Sequence, residues 1–234
     1  MGVITIFQRV EKKYRLSKAK RDWLLEQLGD RLIPDVYGRS TVCSLYLDTP
    51  GRQIIRESID AKGFDKPAYR EKLRIRSYGT PAAESPVFFE IKKKFKGVVY
   101  KRRVVMTLGQ AQEYLQTKKP PLQSQIMSEI HWSMGFYGYP QPAMLIACER
   151  DAYSVKDLPN LRLTFDTNVR GRDFDLSLAK GSEGTLILPE DEVLLEVKTD
   201  GAMPLWLSHL LDEGKLYPTS FSKYGTAHLR SLKK

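Results

Sequence analysis

Arginine and lysine recur at every second position through several segments of this chain: Lys72, Arg74 and Arg76, then Lys101 and Arg103. Successive side chains of a strand point to opposite faces, so such residues share one environment. The same parity collects Arg9, Glu11 and Lys13, then Tyr46 and Asp48, then Glu90 and Lys92. Further on it takes in Arg150, then Arg162, Thr164 and Asp166, and last Glu196 and Lys198. The opposite parity is apolar: Leu73 and Ile75, Phe89 and Ile91, Leu161, Leu163 and Phe165, Leu195 and Val197. Guanidinium forks match phosphate oxygens in pairs, and ammonium groups add point charge, so a face of this kind suits a polyphosphate-like anion. Like charges on neighbouring strands repel, a cost retained when a ligand neutralises it.

The elements that carry these residues are mostly strands. Alternation and β-branched or aromatic content mark strands at 4–14, 41–48, 69–78, 86–95, 98–106, 143–156, 160–170 and 192–199, with a tight hairpin at Gly97. Helical periodicity falls at Ser17 to Leu28, and at about 51–58, 108–117, 123–135, 203–212 and 222–230. The irregular stretch Arg170 to Gly184 reads as a surface loop. The fold expected is α+β: one domain over 1–234, built as a closed antiparallel barrel of about eight strands with helices packed outside. The charged parity would then line the lumen and the apolar parity would meet the helices.

Composition narrows the partners. The net charge of +10 and pI near 9.5 favour an anion. No Gly-x-x-x-x-Gly-Lys-Ser/Thr loop, RNP-like run or zinc-finger spacing occurs, so phosphates must be held by side chains, and nucleic acid is not the expected partner. His131, His209 and His228 lack metal-ligand spacing, which leaves oxygen ligands for any metal. Cys43 and Cys148 are expected as reduced thiols, with no disulfide-linked partner. No apolar run approaches the roughly 20 residues of a membrane span. The N-terminus shows no leader, so the expected location is the cytoplasm, with a peripheral position at the inner membrane face as a variant. Lys93, Lys94 and Lys96 read as a solvated turn, and Tyr69, Tyr78 and Tyr153 as packing residues at the barrel rims.

Taken in order, Glu11-Lys12-Lys13-Tyr14, Ser44-Leu45-Tyr46-Leu47-Asp48-Thr49, Lys72-Leu73-Arg74-Ile75-Arg76-Ser77-Tyr78-Gly79, Phe89-Glu90-Ile91-Lys92, Leu194-Leu195-Glu196-Val197-Lys198 and Ser220-Phe221-Ser222-Lys223-Tyr224 resemble the polyphosphate polymerase domain of the vacuolar transporter chaperone (VTC) family. That family belongs to the CYTH-like triphosphate tunnel metalloenzymes. The resemblance implies an eight-stranded tunnel and transfer of the terminal phosphate of ATP to inorganic polyphosphate. By it, Arg74, Arg76, Lys92 and Arg150 would stabilise the transferring group. By the same match Lys13, Lys101 and Lys223 would bind phosphates and Glu196 would hold Mn²⁺ or Mg²⁺; Lys72, Arg103, Arg162 and Lys198 join the phosphate-binding candidates because they share the charged parity. Glu11, Glu90 and Asp166 are further metal candidates. A separate membrane protein receiving the product is a further partner expectation. Two positions depart from the pattern: Arg9 replaces the first carboxylate of the superfamily's Glu-x-Glu-x-Lys, and Ser220 stands where polymerases of the family can carry lysine. The first departure suits a polymerase or binder better than a hydrolase. The alternatives are an inorganic or nucleoside triphosphatase and a non-catalytic polyphosphate-binding module.

Overall fold

The computed structural model describes residues 6–36, 38–59, 69–96 and 98–233. Its strands are β1 (Ile6–Ser17), β2 (Leu32–Pro34), β3 (Ser40–Asp48), β4 (Tyr69–Tyr78), β5 (Pro86–Phe95), β6 (Val98–Thr107), β7 (Gln141–Val155), β8 (Leu158–Arg172), β9 (Thr185–Leu186) and β10 (Glu192–Thr199). Eight of them run in the order β7-β3-β4-β5-β6-β1-β10-β8, and β8 pairs back onto β7, closing a ring. Every pairing is antiparallel. Closure removes the long free edges of an open sheet. The short strands β2 and β9 attach to β7 and β8; at three and two residues they are too brief for alternation to reveal them. Gly97 and residues 4 and 5 of the first expected strand lie outside the described residues.

The apolar parity meets the helices. Leu73, Ile75, Phe89 and Ile91 form one buried cluster with Tyr114 of α3 (Leu108–Thr117) and Met127, Ile130 and Met134 of α4 (Gln125–Phe136). On the other side of the ring, Leu161, Leu163, Phe165, Leu195 and Val197 pack on Leu24 and Leu28 of α1 (Lys18–Leu28) and on Leu207 and Leu211 of α5 (Leu205–Glu213). Each such fully buried side chain contributes about 1.5–3 kcal/mol. Helix starts are capped by side chains: Ser17 Oγ accepts from Lys20 N, Ser124 Oγ from Met127 N, and Thr107 and Gln110 form a reciprocal box.

α6 (Lys223–Ser231) has a different place from the other helices. Its Tyr224 and Ala227 belong to a third cluster with Val42, Tyr46, Ile146, Cys148 and Leu194, which lie on the inward parity of β3, β7 and β10. α6 therefore covers one mouth of the ring, where β3 and β8 end. Gly171 leaves room for it, since a Cβ there would come within 3.1 Å of Ala227 Cβ. Asp48 fastens this corner: its carboxylate accepts from Ile54 N at 2.9 Å and Ile55 N at 3.0 Å in α2 (Gln53–Ile59), and from the Tyr224 hydroxyl at 2.8 Å.

The stretch from Arg170 to Gly184 is more ordered than its glycines suggest. β8 runs on to Arg172, whose nearly buried guanidinium donates to the carbonyls of Asp175, Ser177, Gly181 and Glu183. Leu178 is buried against the outer core. One guanidinium thus replaces the backbone ladder that the loop lacks. Both cysteines are free and buried. Among the described residues, no helix is long and apolar enough to cross a membrane.

Candidate functional site

Register brings the charged parity together inside the ring. Arg74 lies opposite Glu90, which lies opposite Arg103, and Lys72 is level with Lys92 and Lys101. The fully buried Glu90 accepts from Arg74 Nε at 2.7 Å and from Lys101 Nζ at 3.1 Å. Arg74 also donates to the Tyr46 hydroxyl at 3.2 Å, and Tyr46 stacks on Tyr224 of α6 with centroids 4.7 Å apart. Arg76 donates to Ser44 Oγ at 3.2 Å.

A second centre joins β1, β7, β8, β10 and α6. Arg150 grips Asp166 with two hydrogen bonds of 2.6 and 2.7 Å, and lies 3.6 Å from Glu196. Lys223 bonds both Asp166 and Glu196, the latter at 3.0 Å. Lys198 sits 2.8 Å from Glu196 and donates to Thr164 Oγ at 2.7 Å. Lys13 lies between Glu196 and Glu11 at 3.7 and 3.6 Å, and Lys92 reaches Glu11 at 3.0 Å. Lys72 donates to Ser222 Oγ at 2.8 Å, and Lys13 to the Phe221 carbonyl at 3.0 Å, so the turn entering α6 is held by lumen cations.

The structure therefore brings Lys13, Lys72, Arg74, Arg76, Lys92, Lys101, Arg150, Lys198 and Lys223 into one enclosed space with Glu11, Glu90, Asp166 and Glu196. Arg103 stands toward the opposite mouth, over the ring of Phe88. Arg162 is set apart: its guanidinium pairs with Asp35 and is 42% exposed, placing it at the rim. Tyr46, Asp48, Ser222 and Tyr224 were not read as site residues. The only sequence signal for them was the Ser222-Lys223-Tyr224 run and the inward parity of Tyr46 and Asp48.

Cations outnumber carboxylates in this space, and protonation follows from that. Burial alone would raise the Glu90 carboxyl, but Arg74, Arg76 and Lys101 outweigh it and hold the group well below its usual range. Glu196 is likewise buried, and Lys198, Lys223, Lys13 and Arg150 hold it well below. Glu11 follows the same rule through Lys92, Lys13 and Lys198. Lys72 shows the opposite balance. Burial, reinforced by Lys13, Lys92 and Arg74, pushes its ammonium down to about 7. Lys198 is pushed down by burial to about 8, against the pull of Glu196.

Among the described residues, no group of three or more His, Cys, Asp or Glu stands close enough to hold a metal by itself. Glu11 and Glu196 share Lys13 and project from neighbouring strands. Two carboxylates fit Mg²⁺ or Mn²⁺ when substrate phosphates supply the remaining oxygens. Glu90 and Asp166 fit that role less well, because bidentate or paired arginine contacts already occupy them.

A closed eight-stranded ring with helices outside and cations within is the architecture of the CYTH-like triphosphate tunnel proteins. Among solved structures, a candidate adenylate cyclase from Bacillus halodurans superposes with a TM-score of 0.57 at 13% identity, covering 94% of this chain and 96% of that one. A candidate adenylyl cyclase from Hippeastrum, with a dominant triphosphatase activity, superposes with a TM-score of 0.51 at 16% identity, covering 95% and 96%. At these identities the likeness is one of fold. The VTC domain matches residues 8–231, and the chain belongs to that family. No curated protein matches it.

Proposed function

We propose that the chain transfers the terminal phosphoryl group of ATP to inorganic polyphosphate inside the lumen. The observation that carries this reading is the enclosed excess of Arg and Lys over carboxylates, which suits a highly charged anion. An acceptor oxygen forms a bond to the γ-phosphorus while the bond from that phosphorus to the bridging oxygen breaks, and ADP leaves with the electron pair. The acceptor phosphate is already ionised near pH 7, so no base need remove a proton. Charge stabilisation and alignment supply most of the catalysis in such transfers. Arg74, Arg76, Lys92 and Arg150 would carry the first task, and Lys13, Lys72, Lys101, Lys198 and Lys223 the second. A divalent ion held by Glu196 and Glu11 would neutralise phosphate charge. The peripheral membrane location and the membrane partner belong to the same proposal.

The test is product analysis after incubating purified protein with ATP and Mn²⁺ or Mg²⁺. Chains longer than triphosphate support the reading. Free phosphate alone supports the second reading, a triphosphatase, which the activity of the Hippeastrum protein brings into view. Arg9, in place of a carboxylate, favours transfer, since it weakens a metal site suited to activating water.

A further inference from the structure

The lumen ends in aromatic rings at the mouth opposite α6, where β4 finishes and β5 begins. Phe88 is the register partner of Arg76, and Tyr78 lies two residues beyond Arg76 on the same face. The two rings meet edge to face with centroids 5.8 Å apart, and the Arg103 guanidinium lies 4.5 Å from the centre of the Phe88 ring. Tyr78 packs at the rim, as its sequence context suggests, yet it is 52% exposed, so its contact with Phe88 leaves half of it open. A half-exposed Tyr78 against a partly buried Phe88, beside a cation at the end of a phosphate-binding channel, offers what a nucleobase needs, because every base presents a π face for stacking.

Spacing agrees with this. Inward positions on one strand are about 7 Å apart, so Phe88 stands about 14 Å from Lys92 along β5, on the scale of a triphosphate with its ribose. Arg76, Arg74 and Lys101 line the interval. We infer that Tyr78, Phe88 and Arg103 form a base subsite, with the ring of ATP stacked at this mouth and its phosphates running inward. The inference rests on the nucleotide-driven reading above and adds which mouth the nucleotide enters and which residues recognise it. Inorganic triphosphate has no ring and makes no use of the subsite.

The experiment titrates ATP and inorganic triphosphate separately into the wild-type chain, Tyr78→Ala and Phe88→Leu, with a melting curve for each variant. Loss of stacking is expected to weaken ATP about tenfold and leave triphosphate unchanged. Equal weakening of both ligands, or of neither, overturns the subsite while leaving the lumen reading intact. A wild-type chain that binds neither ligand overturns both. Tyr78→Ala decides the matter if Phe88→Leu does not fold, since half of that tyrosine already faces water.

Discussion

Replacing Glu90 with glutamine removes one negative charge from the most enclosed part of the lumen while keeping the side chain's shape. In the native chain this carboxylate has no solvent exposure and neutralises Arg74 at 2.7 Å and Lys101 at 3.1 Å, with Arg76 close by. Breaking a buried pair by removing one partner costs about 3–5 kcal/mol, because the surviving charge stays buried. Glutamine retains an accepting oxygen for Arg74, so the lower end, about 3 kcal/mol, is expected. For a chain of this size each kcal/mol moves the melting temperature by about 2–4 °C, giving a fall of about 6–12 °C. A ligand that binds the folded state then restores stability by mass action. Since the lost charge is the one an entering phosphate would replace, triphosphate should raise the melting temperature of Glu90→Gln more than that of wild type. Thermal melts of both proteins across a triphosphate series measure this. Glu149→Gln, whose carboxylate bonds Thr41 and Arg170 on the outward parity, is the control and should show no differential rescue. An unchanged melting temperature for Glu90→Gln, or equal stabilisation of both proteins, would refute the assignment of Glu90 as a counter-ion competing with phosphate.

Three other outcomes follow from the same geometry. Lys72, lowered to about 7 by burial and neighbouring cations, is largely neutral at pH 8 in the free chain and regains its proton beside a phosphate. Triphosphate binding at pH 8 should therefore take up protons, seen by calorimetry in buffers of different ionisation enthalpy; affinity should fall as pH rises from 7 to 9, and Lys72→Met should reduce the uptake to the share left by Lys198, itself lowered to about 8. The same depressed value means that the cost of burying this ammonium is present below pH 7 and fades toward the unfolded pKa near 10.4, so Lys72→Met should gain most stability at low pH. Glu196→Gln should lower metal-dependent turnover at least tenfold, about 1.4 kcal/mol in the barrier, with a smaller change in metal-free triphosphate affinity by titration. Asp48→Ala strips four donors, Thr49 N, Ile54 N, Ile55 N and the Tyr224 hydroxyl, of their acceptor and should destabilise the chain by about 2–4 kcal/mol in denaturant unfolding.

The ring and its lumen were legible because strands write their two faces into alternate residues. Leu73 and Ile75 between Lys72, Arg74 and Arg76 assign inside and outside without any tertiary information, and Ser17 at the start of α1 carries local capping chemistry. The division of labour among the carboxylates was not legible. Whether Glu90 or Asp166 binds metal or balances arginine depends on register, which sets Arg74 opposite Glu90 and Arg150 opposite Asp166. Nor could the place of α6 be read: Tyr224 and Ala227 look like any apolar helix face, and only the path of the chain after β10 carries them to the mouth of the ring. Arg172 was hidden for a related reason, since the carbonyls it gathers lie in a stretch whose glycines suggest looseness.

The most direct measurement is a crystal structure of the chain soaked with inorganic triphosphate and Mn²⁺. We expect a linear anion within the ring, its oxygens bonded by Arg74, Lys92, Arg150 and Lys223, with the metal beside Glu196. An anion bound only on the outer surface, with the inward ion pairs of Glu90 and Asp166 undisturbed, would contradict a phosphate-binding lumen.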